Sequence, residues 1–408
     1  NQTMILGAND PGAVMVVYTL NASSVESIDL TGTTTVAVKL DVADASTETF
    51  TSSNTSTNTA YLMINDAANG TFDAAGVADD VMIIAANDNA GVTYDKLTDT
   101  QTVGLDVEQV DQTGTVTYDH ATAATTTTTN TLKYKIFDTN TASTNTDVAV
   151  QVDKLVFDDV DTLTIDIGAS NSLTLDGATN VAIAGDSLDK IIITGKTFDA
   201  QNDNDITGDA TAGAPVLEID ASALTGVYTG RMGTAANAVE KLTTGAGADA
   251  ITLQGAAAST NAQTIVTNGG NDTVTVSAAA SFSYDGGTGT DKMVIANAVD
   301  LSANTVTLTS VEMIELSGGT DTATVKGSLI NGQTLIMSSA TAGGTNTITA
   351  SVDSLSMDLS SLAFNNNFGA DAGDAMVMSA ASSGLAVTLN GSSIKDTLTG
   401  GSGADTIT

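Results

Sequence analysis

Three glycine-rich stretches near the middle of the chain decide its fold. Residues 242–253 read LTTGAGADAITL, residues 267–276 read TNGGNDTVTV, and residues 284–295 read YDGGTGTDKMVI. Each places glycines before an aspartate, and a large apolar side chain two residues after it. Residues 286–293 match the nonapeptide repeat G-G-x-G-x-D-x-U-x, in which U is a large apolar residue. The other two stretches match it in part.

The end of the chain carries the same repeat. Residues 400–408 read GGSGADTIT and match the nonapeptide at every position. The preceding nine residues, GSSIKDTLT, keep the first glycine, Asp396 and Leu398 in register. Two consecutive units nine residues apart are hard to obtain by chance. We expect a second stack of turns to begin near Gly391 and to be cut off by the end of the chain.

The residue types of the repeat have a chemical meaning. Glycine adopts positive φ angles, so the backbone turns tightly, and the aspartate adds a carboxylate where the turn ends. A calcium ion needs about six to eight oxygen ligands, which two stacked turns provide and one turn does not. A structural turn without metal remains the alternative at each position. The residues predicted to form the calcium sites are Gly245, Gly247, Asp249, Gly270, Asp272, Gly286, Gly287, Gly289, Asp291, Asp396, Gly400, Gly401, Gly403 and Asp405.

Strand signals dominate the rest of the chain. Threonine, a β-branched residue that suits strands, occurs 68 times. A recurring phrase puts an acid between two aliphatic residues, as in residues 160–165 (VDTLTI) and 311–316 (VEMIEL). Each phrase predicts a short strand with its aliphatic side chains on one face, as in stacked coils. We therefore predict an all-β fold, an elongated β-solenoid or parallel β-roll with calcium-binding turns. Several β-sandwich domains joined by repeat segments are the alternative.

These signals divide the chain into four parts. Residues 1–240 form a Thr-rich β-strand region, either an irregular solenoid or two β-domains. Residues 241–300 form a calcium-binding β-roll. Residues 301–390 form a further β-strand region, and residues 391–408 begin another repeat, which is truncated. We expect the chain to be a fragment or a processed product.

The charge balance excludes several function classes. Acidic residues number 48 and basic residues 12, for a formal net charge of −36. Nucleic-acid phosphates and anionic membrane surfaces attract clustered Lys and Arg, so neither is an expected partner. No apolar run approaches the roughly 18 residues of a membrane span, so we expect no direct insertion. The absence of cysteine excludes disulfides and thiolate metal sites, which leaves oxygen ligands and Ca²⁺ as the cofactor.

Catalytic signals are weak. His120, the only histidine, opens the Thr-rich run 120–130, where we expect a surface loop, and no catalytic triad forms around it. We predict that the protein is not an enzyme. A β-helix polysaccharide lyase or hydrolase that uses Arg231 is the least favoured alternative. Asp371 and Asp374, in GADAGDAMVM, are interpreted as solvated loop residues rather than metal ligands.

The glycine motifs resemble the repeats-in-toxin (RTX, hemolysin-type calcium-binding) proteins of Gram-negative bacteria. The Thr-, Ala- and Gly-rich context, the lack of cysteine and phrases such as VEMIELSGG are similar to their surface-layer (S-layer) branch, of the Caulobacter and Campylobacter kind. The resemblance implies type I secretion, folding outside the cell when Ca²⁺ is met, and self-assembly into a two-dimensional homo-oligomeric lattice. It also implies an extracellular location on the cell surface.

The resemblance leaves other expectations open. A surface-layer protein of this kind could bind lipopolysaccharide through a region outside this chain. A secreted RTX adhesin or biofilm protein that uses the same solenoid as a spacer is the alternative function. The repeats are few and partly degenerate, and the chain stops inside one, so we expect any export signal to lie outside it.

Overall fold

A computed structural model describes the chain in separate ranges. Side chains are described from residue 71 onwards, in most of these ranges. The described residues are 3–5, 18–21, 27–29, 36–41, 49–53, 60–65, 71–77, 81–85, 91–106, 111–124, 129–137, 149–175, 181–200, 205–207, 217–232, 239–255, 262–365, 367–369, 373–380 and 384–408.

The chain divides into two compact units. The first consists of Asn1–Thr229 with Asn237–Val239, and the second of Gly230–Ala236 with Glu240–Thr408. The division into four parts made from the sequence stays a prediction.

In the described residues the first unit is built from two parallel sheets. Its strands are β1 (Thr3–Ile5), β2 (Tyr18–Asn21), β3 (Ser27–Asp29), β4 (Val36–Asp41), β5 (Thr49–Ser53), β6 (Ala60–Asn65), β7 (Thr71–Gly76), β8 (Val81–Ala85), β9 (Thr93–Leu97), β10 (Thr102–Asp106), β11 (Asp111–His120), β12 (Thr131–Phe137), β13 (Ala149–Asp158), β14 (Thr162–Asp166), β15 (Ser172–Leu175), β16 (Val181–Ala184), β17 (Lys190–Gly195), β18 (Thr197–Asp199), β19 (Asp205–Thr207), β20 (Glu218–Leu224) and the start of β21 (Tyr228–Met232). One sheet contains β2, β4, β6, β8, β10, β12, β14, β17 and β20, and the other contains the remaining strands. The chain alternates between the two sheets except at β15–β16 and β18–β19, where two consecutive strands join the same sheet.

The second unit has four parallel sheets and one short helix, α1 (Gly327–Ile330). Its further strands are β22 (Lys241–Thr243), β23 (Ala250–Leu253), β24 (Gln263–Val266), β25 (Thr273–Val276), β26 (Phe282–Asp285), β27 (Lys292–Ile295), β28 (Val299–Asp300), β29 (Val306–Thr309), β30 (Met313–Leu316), β31 (Thr322–Lys326), β32 (Ile336–Ser339), β33 (Thr347–Ser351), β34 (Ser356–Asp358), β35 (Ala363–Phe364), β36 (Ala375–Ser379), β37 (Thr388–Asn390), β38 (Asp396–Thr399) and β39 (Thr406–Ile407). The sheets run β23-β25-β27-β30-β32-β35, β22-β24-β26-β29, β28-β31-β33-β36-β38 and β34-β37-β39.

Every strand pairing in the described residues is parallel, and each joins a strand to its counterpart one coil later. This confirms the all-β prediction of stacked solenoid coils. The β-sandwich alternative is wrong for these residues, because sandwiches are made of antiparallel sheets.

Buried aliphatic columns hold the coils together. Along β14 and β17 every second side chain is buried, as a period-two pattern requires. Leu163, Ile191 and Ile219 pair in register on successive coils, and none of them is exposed to solvent. Burial of each such side chain stabilises the fold by roughly 1.5–3 kcal/mol. The aliphatic phrases of the sequence therefore form the core, one column for each buried position.

An outward row of aspartates crosses the first unit. Asp73 pairs with Asp95 on β7 and β9, and Asp119 pairs with Asp158 on β11 and β13. The two pairs are neighbours because Tyr94 and Tyr118, which precede Asp95 and Asp119, also pair. Like charges directly opposite one another destabilise a sheet. Lys96 relieves this at Asp73, because despite partial burial its pairing with that carboxylate holds the pKa below the ordinary value, whereas the pKa of Asp119 shows no such lowering. Partial burial and the charges of Asp95, Asp158, Asp159 and Asp186 raise the pKa of Asp119 to about 6.

We predict that the row makes the stability of the protein depend on pH. The pKa of Asp119 is higher in the folded state than its ordinary value of 3.8, so the folded state binds the proton more tightly. The stability cost is present in full above about pH 6 and disappears as the pH falls towards 4. Thermal unfolding should therefore show a melting temperature that rises between pH 7 and pH 4.5. Asp119→Asn should raise the melting temperature at pH 7 and flatten this pH dependence, and an unchanged profile would contradict the assignment.

Candidate metal centre

The turns before β23, β25 and β27 lie over one another. Ala250, Thr273 and Lys292, the first residues of these strands, pair in parallel register. The residue before each of them is Asp249, Asp272 or Asp291. The structure therefore places the three aspartates of the glycine motifs at the same position on successive coils.

Hydrogen bonds link these aspartates from coil to coil. The backbone N–H of Asp249 donates to Oδ1 of Asp272 at 2.7 Å, and the N–H of Asp272 donates to Oδ1 of Asp291 at 2.8 Å. The N–H of Asp291 donates to Oε2 of Glu312 at 2.8 Å. Asp249, Asp272, Asp291 and Glu312 are called the first ladder. Each bond spans 19 to 23 residues of sequence, so the first ladder fastens whole coils together.

The three aspartates of the first ladder are buried and only partly hydrogen-bonded, whereas Glu312 is exposed. Asp249 is 1% exposed, and Asp272 and Asp291 are not exposed at all. The Thr244 hydroxyl donates to Oδ2 of Asp249. Oδ2 of Asp272 and Oδ2 of Asp291, in contrast, are buried and have no hydrogen-bond partner. Burial raises the pKa of both carboxyls, and the neighbouring negative charges act in the same direction. The backbone N–H bonds between coils, and for Asp272 the side chain of Thr267, offset part of this increase.

Glycines let the turns stack closely. Gly270, Gly287 and Gly289 have φ angles of +132°, +81° and +146°, which disfavour L side chains. A Cβ on Gly270 would overlap the carbonyl oxygen of Gly247, and one on Gly289 would overlap the carbonyl oxygen of Gly270. The turn carbonyls therefore project along the stack towards the next coil. The backbone needs glycine here for space as well as for conformation.

The oxygens of these turns fit a hard cation. A buried carboxylate without a partner is costly unless a positive charge or a proton compensates it. Carboxylates and backbone carbonyls are ligands that calcium uses, and these turns contain no His or Cys. Within the described residues, no three His, Cys, Asp or Glu side chains converge on a single point suited to a metal. An ion at Asp272 and Asp291 would therefore need backbone carbonyl oxygens in addition to the carboxylates.

The remaining predicted residues divide between this stack and the end of the chain. The Gly245 carbonyl accepts the Gly269 N–H at 3.3 Å, and a Cβ on Gly286 would clash with the Asp291 side chain, so both glycines belong to the stack. The stack thus brings together Gly245, Gly247, Asp249, Gly270, Asp272, Gly286, Gly287, Gly289 and Asp291.

Asp396 and Asp405 lie apart from the first ladder. Asp396 begins β38 and accepts hydrogen bonds from the N–H and the hydroxyl of Ser392, at 2.9 and 2.7 Å. Asp405 precedes β39, which belongs to a different sheet, and its Oδ1 accepts the Val387 N–H at 3.0 Å. Gly400, Gly401 and Gly403 form the turn that leads to Asp405, and Gly400 faces the Asp405 carboxylate. The two aspartates therefore serve two separate turns.

Sequence reasoning missed Glu312. We assigned it to an aliphatic phrase without glycines, yet its carboxylate continues the row of the glycine motifs. A signal was present, because VEMIEL and GTDKMVI both place the acid one residue before a strand and two residues before a buried aliphatic side chain. Thr267, whose hydroxyl donates to the Gly286 carbonyl at 3.0 Å, was also missed.

A second ladder occurs further along the same unit. The N–H of Asp321 donates to Oδ1 of Asn346 at 3.1 Å, and the N–H of Asn346 donates to Oδ1 of Asp374 at 2.8 Å. Asp321, Asn346 and Asp374, here called the second ladder, precede β31, β33 and β36. Asp374 is 1% exposed, so the prediction of a solvated loop is wrong for this residue. Asp371 lies outside the described residues.

The expected surface position of His120 is also wrong. His120 ends β11 and is buried, because the strand continues up to the Thr-rich run. Its Nε2 lies 3.3 Å from Oδ1 of Asp99, which also accepts the Thr131 N–H at 2.7 Å. Residues 125–128 of the run lie outside the described residues. His120 is therefore packed at the start of the run rather than exposed to solvent, and Asp99 lies close both to His120 and to Thr131, which follows the run.

Comparisons with known proteins add no family assignment. No protein-family model, curated protein or solved structure matches the chain. In the part of the chain that the structure describes, no helix is long and apolar enough to cross a membrane.

We predict that Gly270→Ala opens the first ladder. The substitution adds a Cβ where the Gly247 carbonyl lies, and it also strains a positive φ angle. Gly332→Ala is the matched control, because Gly332 has a φ of +66° and open space around its Cβ position. The control should lose about 1–2 kcal/mol of stability from the backbone alone. Urea denaturation should show a clearly larger loss for Gly270→Ala, and equal losses would contradict the close stacking.

Proposed function

We propose that the protein is a structural component of a bacterial surface layer, and that calcium ions at the first ladder complete its fold. The proposed role of calcium in folding rests on one observation. Oδ2 of Asp272 and Oδ2 of Asp291 are fully buried and have no partner, on successive turns whose other oxygens fit a hard cation. Calcium would supply a positive charge beside these two oxygens, since Lys292, the lysine next to Asp291 in the sequence, pairs with Glu315.

The residues of the first ladder and the neighbouring glycines would each contribute to such a site. Each backbone N–H in the row holds Oδ1 of the next aspartate and so orients its carboxylate, which leaves Oδ2 for a ligand. The glycines allow carbonyl oxygens to approach the next turn. Before calcium binds, the carboxylates repel one another or take up protons. The turns should therefore close only when the ion is present, which couples binding to folding.

The proposed surface-layer function rests on the fold and on the resemblance of the glycine motifs to RTX proteins. Stacked parallel coils without cysteine form a scaffold whose candidate sites lie in its turns, and the sequence gives no support for a catalytic triad around the single histidine. A net charge of −36 keeps separate copies apart by repulsion. Divalent cations reduce that repulsion, so they favour contact between copies as well as closure of the turns. We therefore propose a non-enzymatic protein that is secreted and assembles with copies of itself on the cell surface.

We predict that calcium orders the region of the first ladder. Amide hydrogen exchange of the full chain, followed by mass spectrometry, should show slower exchange at residues 242–295 with 5 mM Ca²⁺, a concentration of order the roughly millimolar affinities of extracellular calcium modules. EGTA should reverse the effect. Asp272→Ala should lose most of it, because the variant lacks one of the two unpartnered oxygens.

Asp300→Ala is the control for this experiment. Asp300 is exposed and accepts a local hydrogen bond from the Ser302 N–H at 2.9 Å, so its loss should leave the calcium effect intact. Exchange and melting temperature that do not respond to Ca²⁺ or EGTA would refute a role for calcium in folding.

If the protein forms a surface lattice, purified copies should assemble into ordered sheets. Purified protein placed on a lipid monolayer or in solution should form two-dimensional sheets after addition of Ca²⁺, visible by negative-stain electron microscopy. Mg²⁺ at the same concentration is the control for simple charge screening. Calcium-stabilised monomers that never form sheets would favour the adhesin or spacer function and would contradict the surface-layer proposal.

A further inference from the structure

The two ladders of the second unit have the same backbone plan. In both, a residue before a strand accepts the N–H of its counterpart on the preceding coil. Asp272 and Asn346 occupy equivalent middle positions, in GGNDTVTV and GGTNTITA. Both side chains are fully buried, and both use Oδ1 for the bond between coils. The difference between them lies in the second terminal atom.

The carboxylates of the second ladder have their second oxygens occupied by protein donors. Oδ2 of Asp321 accepts the Ser317 hydroxyl at 2.8 Å and the Gly318 N–H at 2.6 Å. Oδ2 of Asp374 accepts the Gly369 N–H at 2.8 Å. In the first ladder Oδ2 of Asp249, the counterpart of Asp321, also accepts a donor, the Thr244 hydroxyl. In contrast, Oδ2 of Asp291, the counterpart of Asp374, and Oδ2 of the middle residue Asp272 have no partner. Both carboxylates of the second ladder therefore have protein donors at Oδ2, and only one of the three aspartates in the first ladder does.

At the middle position of the ladder, Asn346 presents a hydrogen-bond donor where Asp272 presents an acceptor. Its Nδ2 is buried and has no hydrogen-bond partner. An amide nitrogen carries two hydrogens with positive partial charge and no available lone pair, so it does not coordinate a cation. Asp272 presents a negative oxygen at the equivalent place. The Asn346 amide is therefore suited to a neutral acceptor such as a water molecule, since Asp321 and Asp374 on either side disfavour an anion.

We propose that Asn346 is a specificity-determining residue that excludes calcium from the second ladder, so that residues 317–374 form a calcium-independent clamp. The inference rests on the proposed calcium role of the first ladder. It implies that one unit contains both kinds of turn. The first ladder closes when the ion binds, while the second is already closed by hydrogen-bond donors of the protein. Asn346 decides the difference because its side chain matches aspartate in size and keeps the bond to the Asp321 N–H.

The test exchanges the two residues in the full chain. Calcium should slow amide exchange about tenfold or more at the first ladder of the unmodified protein and leave residues 317–374 unchanged. Asp272→Asn should lose the response of the first ladder. Asn346→Asp should gain a response at residues 317–374 and bind at least one more calcium ion, counted by isothermal titration calorimetry. Asn304→Asp, in a turn outside both ladders, is the control for the added charge.

The outcomes separate this inference from the proposed function. Calcium protection of both ladders in the unmodified protein would overturn the role of Asn346 and leave the calcium function standing. An Asn346→Asp variant that is folded by circular dichroism but binds no further ion would also overturn it. No response at either ladder would overturn both. If Asn346→Asp does not fold, the comparison of the two ladders in the unmodified protein still decides the question.

Discussion

The bond from a backbone N–H to a carboxylate one coil away is the interaction on which this architecture depends. Sheet hydrogen bonds hold the strands, but the amide at the entrance to a strand would otherwise be buried without a partner, at a cost of about 1–3 kcal/mol. An aspartate or asparagine at that entrance satisfies the amide and joins two coils. The bond recurs in the first unit, where the Asn130 N–H donates to Oδ2 of Asp161 at 2.6 Å. It recurs again between Val387 and Asp405.

This interaction unites two sequence patterns that we had treated as separate. The glycine motif and the aliphatic phrase both place an acid just before a strand, and the Asp291–Glu312 bond shows that they occupy the same position on successive coils. They differ in the residues before the acid. Glycines let the turn carbonyls come close to the next coil, whereas a Val such as Val311 continues the apolar core. The acid therefore joins neighbouring coils in both patterns, and only the glycine form also brings turn carbonyls close to the next coil.

Much of the fold could be predicted from the sequence, because its decisive signals are local. Both the period-two alternation of segments such as TVTV and the Gly-Asp turns depend only on neighbouring residues. The strands, their parallel stacking and the juxtaposition of Asp249, Asp272 and Asp291 could therefore be predicted. The second ladder could not. Its members are 25 and 28 residues apart, Asn346 breaks the acidic pattern, and GADAGD inserts residues into the repeat. His120 was misplaced because the length of β11 depends on its pairing with β9 and β13.

The high negative charge gives a reason for two kinds of ladder. In-register carboxylates such as Asp119 and Asp158 repel one another, so stacking the coils of this acidic chain costs electrostatic free energy. A ladder whose second oxygens already accept protein donors tolerates its charge without help from solution. A ladder with unpartnered oxygens has no such compensation from the protein. We propose that a solenoid with both kinds keeps one set of coils closed by its own donors while the other set responds to cations. The two ladders differ at the middle position in one atom, Oδ2 of Asp272 or Nδ2 of Asn346, and at the third position in the donor that Asp374 has and Asp291 lacks.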